Sequence, residues 1–543
     1  MRILSATILS AALLTAADPA PLAELRVADG KELIAHWQAT PIGRTWTDPA
    51  LKPLRDQWDE IERKNLETHG ATVIGTLASL TKISGVVFPA PGPIPQVRMT
   101  VDAGALATPL MAKLTKESGL GPKTVAGADE AVGNEHLLLA RFGTTLVGTD
   151  AGSVPKVVAP GPVTGDVHGV LHVAATVAWL KQLPVANQDA NRLIRQMIAA
   201  WEAQQVTTAD YRATVVPEGV LEVLSSDGRP SPGGQPVDRA LLARLSATTV
   251  AAVGVGLDLS AAWAAQRTQL LTQWAPMVGR DPADLDAVEA EINRVLTTLG
   301  LPVTVAQLAE TKGTLVVALS PGMPVPGITI WLPRSPAIDQ LVAVALTKAQ
   351  VAAPAEGTGT PVFIPGVPLP LTLARDAGHW SITTDAQESD AFLAAKSGGW
   401  ADSAAWKLAL SRAPTDAPVI GASDTPALAR LVSGAVGMAL GMQRQGDPAV
   451  RQAILQGLVR LAKEASTGYV VAGTRDHQQV VEVRSLTGLA ALPVGGGLIG
   501  MSMANRHATA PAAKKPAAGE AAKKPAAGEA AKPATDQKDK ESF

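Results

Sequence analysis

A chain of 543 residues, 46% hydrophobic and 18% charged, is long enough to bury more than one core. Its 47 lysines and arginines against 49 aspartates and glutamates remove the whole-chain electrostatic case for nucleic acid or an anionic membrane as partner. The absence of cysteine excludes disulfides, thiolate metal sites, cysteine nucleophiles and a lipid-modified N-terminal cysteine.

The N-terminus has the pattern of a secretory signal over residues 1–17: Arg2, an uncharged run from Ile3 to Ala17, and small residues before Asp18. A strand from Leu22 to Val27 and a helix from about Lys31 to Trp37 are expected next. Asp48 before Pro49 is a helix start, an acceptor at the cap followed by a fixed φ. Leu51, Leu54, Trp58 and Ile61 then fall on one helix face, which leaves Asp59, Glu60 and Glu62 on the solvent side. Gly85 to Lys116 continues with an apolar run, the Pro93-Ile94-Pro95 turn, a strand, and a helix with Leu106, Leu110 and Leu114 in a stripe. Hairpins are expected at His136 to Gly148 and from Tyr211 to Val223, with a strand at His168 to Ala174 between them.

The same order of signals returns later in the chain. Gly313 to Lys348 repeats Gly85 to Lys116, with Thr311-Lys312 for Thr81-Lys82 and Pro324-Val325-Pro326 for the earlier proline turn. Asp281-Pro282 with Leu285, Val288, Ile292 and Val295 repeats the capped helix, and Leu373-Ala374-Arg375 repeats Leu139-Ala140-Arg141. The two tyrosines of the chain, Tyr211 and Tyr469, open the two closing hairpins. The expected fold class is therefore α+β: a tandem duplication of one domain, each copy a mainly antiparallel sheet with helices packed on it. Copy one is residues 18–228 and copy two 248–488, joined by a linker with a short helix at 229–247. Copy two carries an insertion, the helix around Ser403 to Arg412.

Residues 489–506 form an apolar, Gly-rich closing segment. The uncharged run Leu486 to Ala504 superficially matches a membrane span, but Pro493 and five glycines oppose it, so no membrane contact is expected there. From 507 to 543 the composition falls to Ala, Lys, Pro, Gly and Glu, with AAKKPAAGE repeated, and a disordered tail is expected.

Chemistry is sparse. There is no nucleophile elbow, phosphate loop, H-E-x-x-H or dinucleotide glycine fingerprint. The best metal candidates are His168 and His172, four apart, but a third ligand is not apparent and neither has an equivalent in copy two. Arg141 and Arg375, at matching strand ends, are the candidates for recognising an anionic group, set against ordinary surface arginines. No catalytic residue and no cofactor are expected.

The segment Thr40 to Pro53, with Pro41-Ile42-Gly43-Arg44-Thr45-Trp46-Thr47-Asp48-Pro49, resembles the early part of large exported bacterial proteins grouped as domains of unknown function. The resemblance implies export and duplication and carries over no site residue; the partner expected is a component of the cell envelope. The function expected is an exported, non-catalytic protein, periplasmic or extracellular, that binds or scaffolds through two like domains. The alternative is a hydrolase or metal-dependent enzyme whose site in copy one uses His168, His172 and His136.

Overall fold

The computed structural model describes residues 20–488 apart from 70–71, 91–94, 152, 154, 156, 158–162, 184–193, 196–197, 200, 203–204, 230–233, 323–325, 364–370, 395, 397 and 443–446. The expected signal, the apolar segment 489–506 and the tail 507–543 lie outside the described residues. The fold mixes helices with one large antiparallel sheet.

In the first half, β1 (Ala23–Val27) leads into α1 (Gly30–Ala39), α2 (Pro41–Trp46), α3 (Lys52–His69) and α4 (Val73–Ser79). Then come β2 (Thr81–Phe88), β3 (Gln96–Asp102), α5 (Ala107–Ser118), β4 (Gly121–Pro122), β5 (Glu130–Gly133), β6 (Leu137–Phe142) and β7 (Thr145–Asp150). The half closes with β8 (Val167–His172), α6 (Val173–Leu180), β9 (Thr208–Val216) and β10 (Gly219–Ser226). A linker helix, α7 (Arg239–Ala243), precedes β11 (Ala251–Asp258), α8 (Leu259–Trp274), α9 (Leu285–Thr298) and α10 (Val305–Ala309). There follow β12 (Lys312–Ser320), β13 (Gly327–Pro333), α11 (Pro336–Ala349), β14 (Gly359–Val362), β15 (Leu371–Arg375) and β16 (His379–Thr383). The chain then runs through α12 (Ala386–Ala394), α13 (Ala404–Arg412), β17 (Val419–Ser423), α14 (Thr425–Met442), α15 (Pro448–Glu464), β18 (Gly468–Arg475) and β19 (Gln478–Ser485).

The first half orders its strands β4-β5-β6-β7-β3-β2-β1-β8-β9-β10. The second orders them β14-β15-β16-β13-β12-β11-β17-β18-β19. Antiparallel pairing of β10 with β19 joins the two into one sheet. Residues directly opposite each other in an antiparallel ladder share a face. One row therefore runs Leu139, Gly148, Met99, Gly85, Leu25, Gly169, Tyr211, Leu224, Val481 on a single face, here called the front. The second half continues that face through Val483, Val470, Gly421, Val253, Val317 and Ile330.

Helices cover the two faces unequally. On the front, α5 packs over Val101, Leu139 and Leu146 and α11 over Leu332, Leu373 and Trp380 at the outer ends of their halves, while α6 packs over Val87, Leu171 and Ala209 at one end of the central strands of the first half. On the back of the second half, α7, α12 and α13 bury Ala252, Ala318, Trp331, Ile420 and Ala422. Gly254 is required there, because a Cβ would stand 2.5 Å from Leu242 Cδ1 on α7. α15 reaches the first half and packs on α2 and α3. Arg44 meets Glu464 at 2.9 Å and Asp48 meets Arg460 at 3.5 Å across that contact.

Helix starts follow the acceptor side chains in the sequence. Thr40, Asp48, Asp258, Ser335 and Ser403 each accept an N–H of the following turn, worth about 1 kcal/mol apiece. Several expectations shift. Asp281 binds Ala283 N, but the cap of α9 is Asp284. α3 is rotated: Ile61 is 50% exposed, while Glu62 is buried and accepts the Ile74 N–H at 3.1 Å, because the start of α4 needs an acceptor. α5 buries Ala107 and Met111 and leaves Leu114 in the open, one position round from the expected stripe. The tyrosines also differ by one position: Tyr211 lies opposite Gly169, whereas Val470 lies opposite Gly421 and Tyr469 opposite Ala422. Tyr211 thus faces the front and Tyr469 the back.

Candidate functional site

β8 carries both candidate histidines on the back of the sheet. On a strand, residues four apart stand about 13 Å from each other, so His168 and His172 share a face without sharing an ion. Each instead meets a carboxylate from a neighbouring strand. His168 Nε2 lies 2.7 Å from Asp210 Oδ2, and His172 Nε2 lies 3.3 Å from Glu24 Oε1. Arg212 Nε donates to Asp210 at 2.7 Å and Arg26 to Glu24 at 2.8 Å. Register sets Arg26 and Arg212 on either side of His168, and so produces a patch of alternating charge. Among the described residues no three His, Asp or Glu converge as a metal site. His136 pairs with Glu135 on the exposed turn before β6, five strand spacings or about 24 Å from β8.

Among the described residues, the second half has nothing like this patch. When the row Leu25-Gly169-Tyr211 is matched to Val253-Gly421-Val470, the positions of Glu24, Arg26, His168, Asp210 and Arg212 fall on Ala252, Gly254, Ile420, Tyr469 and Val471. These are core residues under α7 and α13 or the glycine that admits Leu242.

The two arginines occupy matching sites beside their hairpins. Arg141 Nη1 donates to Asp129 at 3.2 Å and to Gly143 O at 3.3 Å, with Glu130 at 3.7 Å. Arg375 lies over the Trp380 ring, 5.5 Å from its centre. Both guanidinium groups rest on elements of their own half rather than facing each other.

The front face is a second candidate surface. Leu25, Val97, Met99, Leu137, Ile328 and Val481 all point to it and all are exposed, Met99 by 57% and Leu25 by 46%. Glycines at 85, 148, 169 and 421 interrupt the row, and a Cβ at Gly85 would meet nothing within 4 Å. In the second half the same face sinks into an open apolar depression of about 330 Å³ lined by Ala251, Val253, Val317, Leu319, Gly421 and Val470. Isolated exposed apolar residues are ordinary, but Leu25, Val97 and Met99 stand on β1 and β3 with only β2 and its Gly85 between them, and such a grouping on one face marks a contact surface.

At the junction of the halves, two buried carboxylates each accept a tyrosine hydroxyl. Tyr211 donates to Glu222 at 2.6 Å and Tyr469 to Glu482 at 2.6 Å, and Arg475 adds 2.7 Å to Glu482. Burial first, and then the neighbouring carboxylate, push both phenols well above the ordinary tyrosine range. A tyrosine at a strand start ordinarily keeps its hydroxyl at the wet edge; here both hydroxyls instead turn to buried carboxylates. The signal was in the sequence: Leu221-Glu222-Val223 and Val481-Glu482-Val483 set a carboxylate inside an apolar strand, where it needs a donor.

Comparison of the chain with protein-family models, curated proteins and solved structures finds no match.

Proposed function

We propose that this chain is an exported, non-catalytic binding protein that holds an apolar partner on the front of its sheet. The observation that carries this reading is the shared orientation of Leu25, Val97, Met99, Leu137, Ile328 and Val481, exposed on one face that both halves build. Export rests on the N-terminal run Ile3 to Ala17 and on the resemblance of Thr40 to Pro53 to exported bacterial proteins. Tandem duplication is part of the proposal. It is supported by the matching strand orders and by Arg141 and Arg375 falling at matching register positions, opposite Leu146 and Trp380. The test is titration of the purified protein with an environment-sensitive apolar dye. Saturable binding that Met99→Asp and Leu25→Asp abolish, with an unchanged circular dichroism spectrum, is the expected result. Binding that both variants leave intact would refute it.

The charged patch on the back of the first half favours a second reading, a hydrolase or metal-dependent enzyme, because it is built by one half alone. Its groups are already paired with one another, which leaves the binding reading ahead. Stoichiometric zinc in purified protein, lost in the double variant His168→Gln/His172→Gln, would reverse that order.

A further inference from the structure

We propose that the chain's own segment 489–504 occupies the front face of the first half and competes there with the apolar partner. This inference rests on the binding reading above and names what fills the face when the partner is absent. The first observation is where the described chain ends. Beyond β19 the backbone turns at Gly488, with φ +65°, and its N–H donates to Ser485 Oγ at 3.0 Å. A Cβ on Gly488 would stand 2.9 Å from Val220 Cγ1, so the backbone there lies against the Val220 side chain. Val220 alternates with Glu222 and Leu224 on β10, and Leu224 belongs to the front row. The chain therefore crosses onto the front of the first half as it leaves the sheet.

The second observation is chemical. Residues 489–505 carry no charge, and they include Leu489, Leu492, Val494, Leu498, Ile499 and Met501. Such a run costs free energy in water at about 25 cal/mol per Å² of apolar area, and the front of the first half, onto which it emerges, exposes Leu25, Val97 and Met99. The third is reach. From the Val220 anchor, Met99 lies five strand spacings, about 24 Å, across the sheet and four residues, about 13 Å, along it, and sixteen extended residues span about 53 Å. Gly495, Gly496 and Gly497 suit a close approach to a sheet surface, and the first charge, Arg506, comes after the run has ended. Tethering holds such a segment at an effective concentration in the millimolar range, so a weak apolar contact suffices to occupy the face.

The test uses the full-length protein with a photoreactive benzoylphenylalanine in place of Met99, irradiated and mapped by mass spectrometry. Cross-links within one chain to peptides from 489–504 are expected. In the full-length double variant Leu498→Asp/Ile499→Asp, apolar-dye binding should rise about tenfold, and Met99→Asp should cancel the rise. Cross-links between isotopically distinct chains would assign the face to a second copy and overturn the proposal. Unchanged dye binding in the double variant, with cross-links only outside 489–504, would overturn it as well. In that case dye binding that Met99→Asp still abolishes would leave the binding reading standing. Cross-links to 489–504 with no dye binding in any variant would leave the inference standing and remove the binding reading.

Discussion

Raising the pH tests the two buried tyrosine–glutamate pairs at the junction of β10 and β19. Tyr211 and Tyr469 are the only tyrosines in the chain, so phenolate absorbance reports on them without background from others. In the unfolded chain a phenol loses its proton near pH 10. In the folded chain burial and the carboxylates of Glu222 and Glu482 hold both phenols protonated well beyond that. The sign follows directly: above about pH 10 the unfolded state binds fewer protons than the folded state, so stability falls as pH rises. Each phenol contributes about 1.4 kcal/mol per pH unit, or close to 3 kcal/mol for the pair at about pH 11. Tyr469, which is 5% exposed, should deliver its full share, and the more accessible Tyr211 less because of solvent screening. The assay combines absorbance titration of native protein with urea midpoints at rising pH. Tyr469→Phe should lower stability at neutral pH by about 1–2 kcal/mol and flatten the alkaline slope. A native titration curve with its midpoint near 10, or an alkaline slope unchanged in the double variant Tyr211→Phe/Tyr469→Phe, would refute the assignment.

Glu388 is fully buried and accepts Ser246 N at 3.1 Å, Ser246 Oγ at 2.6 Å and the Thr249 hydroxyl. Glu388→Ala strands those donors and should cost about 3–5 kcal/mol in urea unfolding, with a smaller loss for Glu388→Gln. Asp258 is held down to about 2 by the Ala261 N–H, the Ser260 hydroxyl and Lys312. Its contribution is present above the ordinary aspartate range and is lost as pH falls towards 2, so Asp258→Asn should flatten the acid limb of Tm against pH. Gly254→Val drives a side chain into Leu242 and should destabilise by about 1–3 kcal/mol or unfold the second half. The charged double replacement Arg44→Glu/Asp48→Arg should loosen α2 and α3 from α15, read as faster proteolysis between residues 40 and 70 with the sheet's circular dichroism retained.

Period-two apolar runs, proline turns and acceptor caps are local properties, and they determined the strands around Gly85 and Gly313, the α5 and α11 helices, and the capped start at Asp48. Similar runs at Gly85 to Lys116 and Gly313 to Lys348 favour similar local structure whatever surrounds them. The faces were decided by the tertiary structure. A one-residue change of register turns a strand over, so Tyr211 and Tyr469, matched in the sequence, ended on opposite sides of the sheet. Glu62 became buried because the start of α4, brought over α3 by the fold, needed an acceptor. His168 and His172 drew attention as a pair, yet their partners Asp210 and Glu24 lie 42 and 148 residues away and were reachable only through strand pairing. The joining of β10 to β19 makes the front continuous over both halves, and no local pattern specifies a contact between residues some 260 positions apart. That pairing, rather than any motif, is what gathers Leu25, Met99 and Val481 onto one surface.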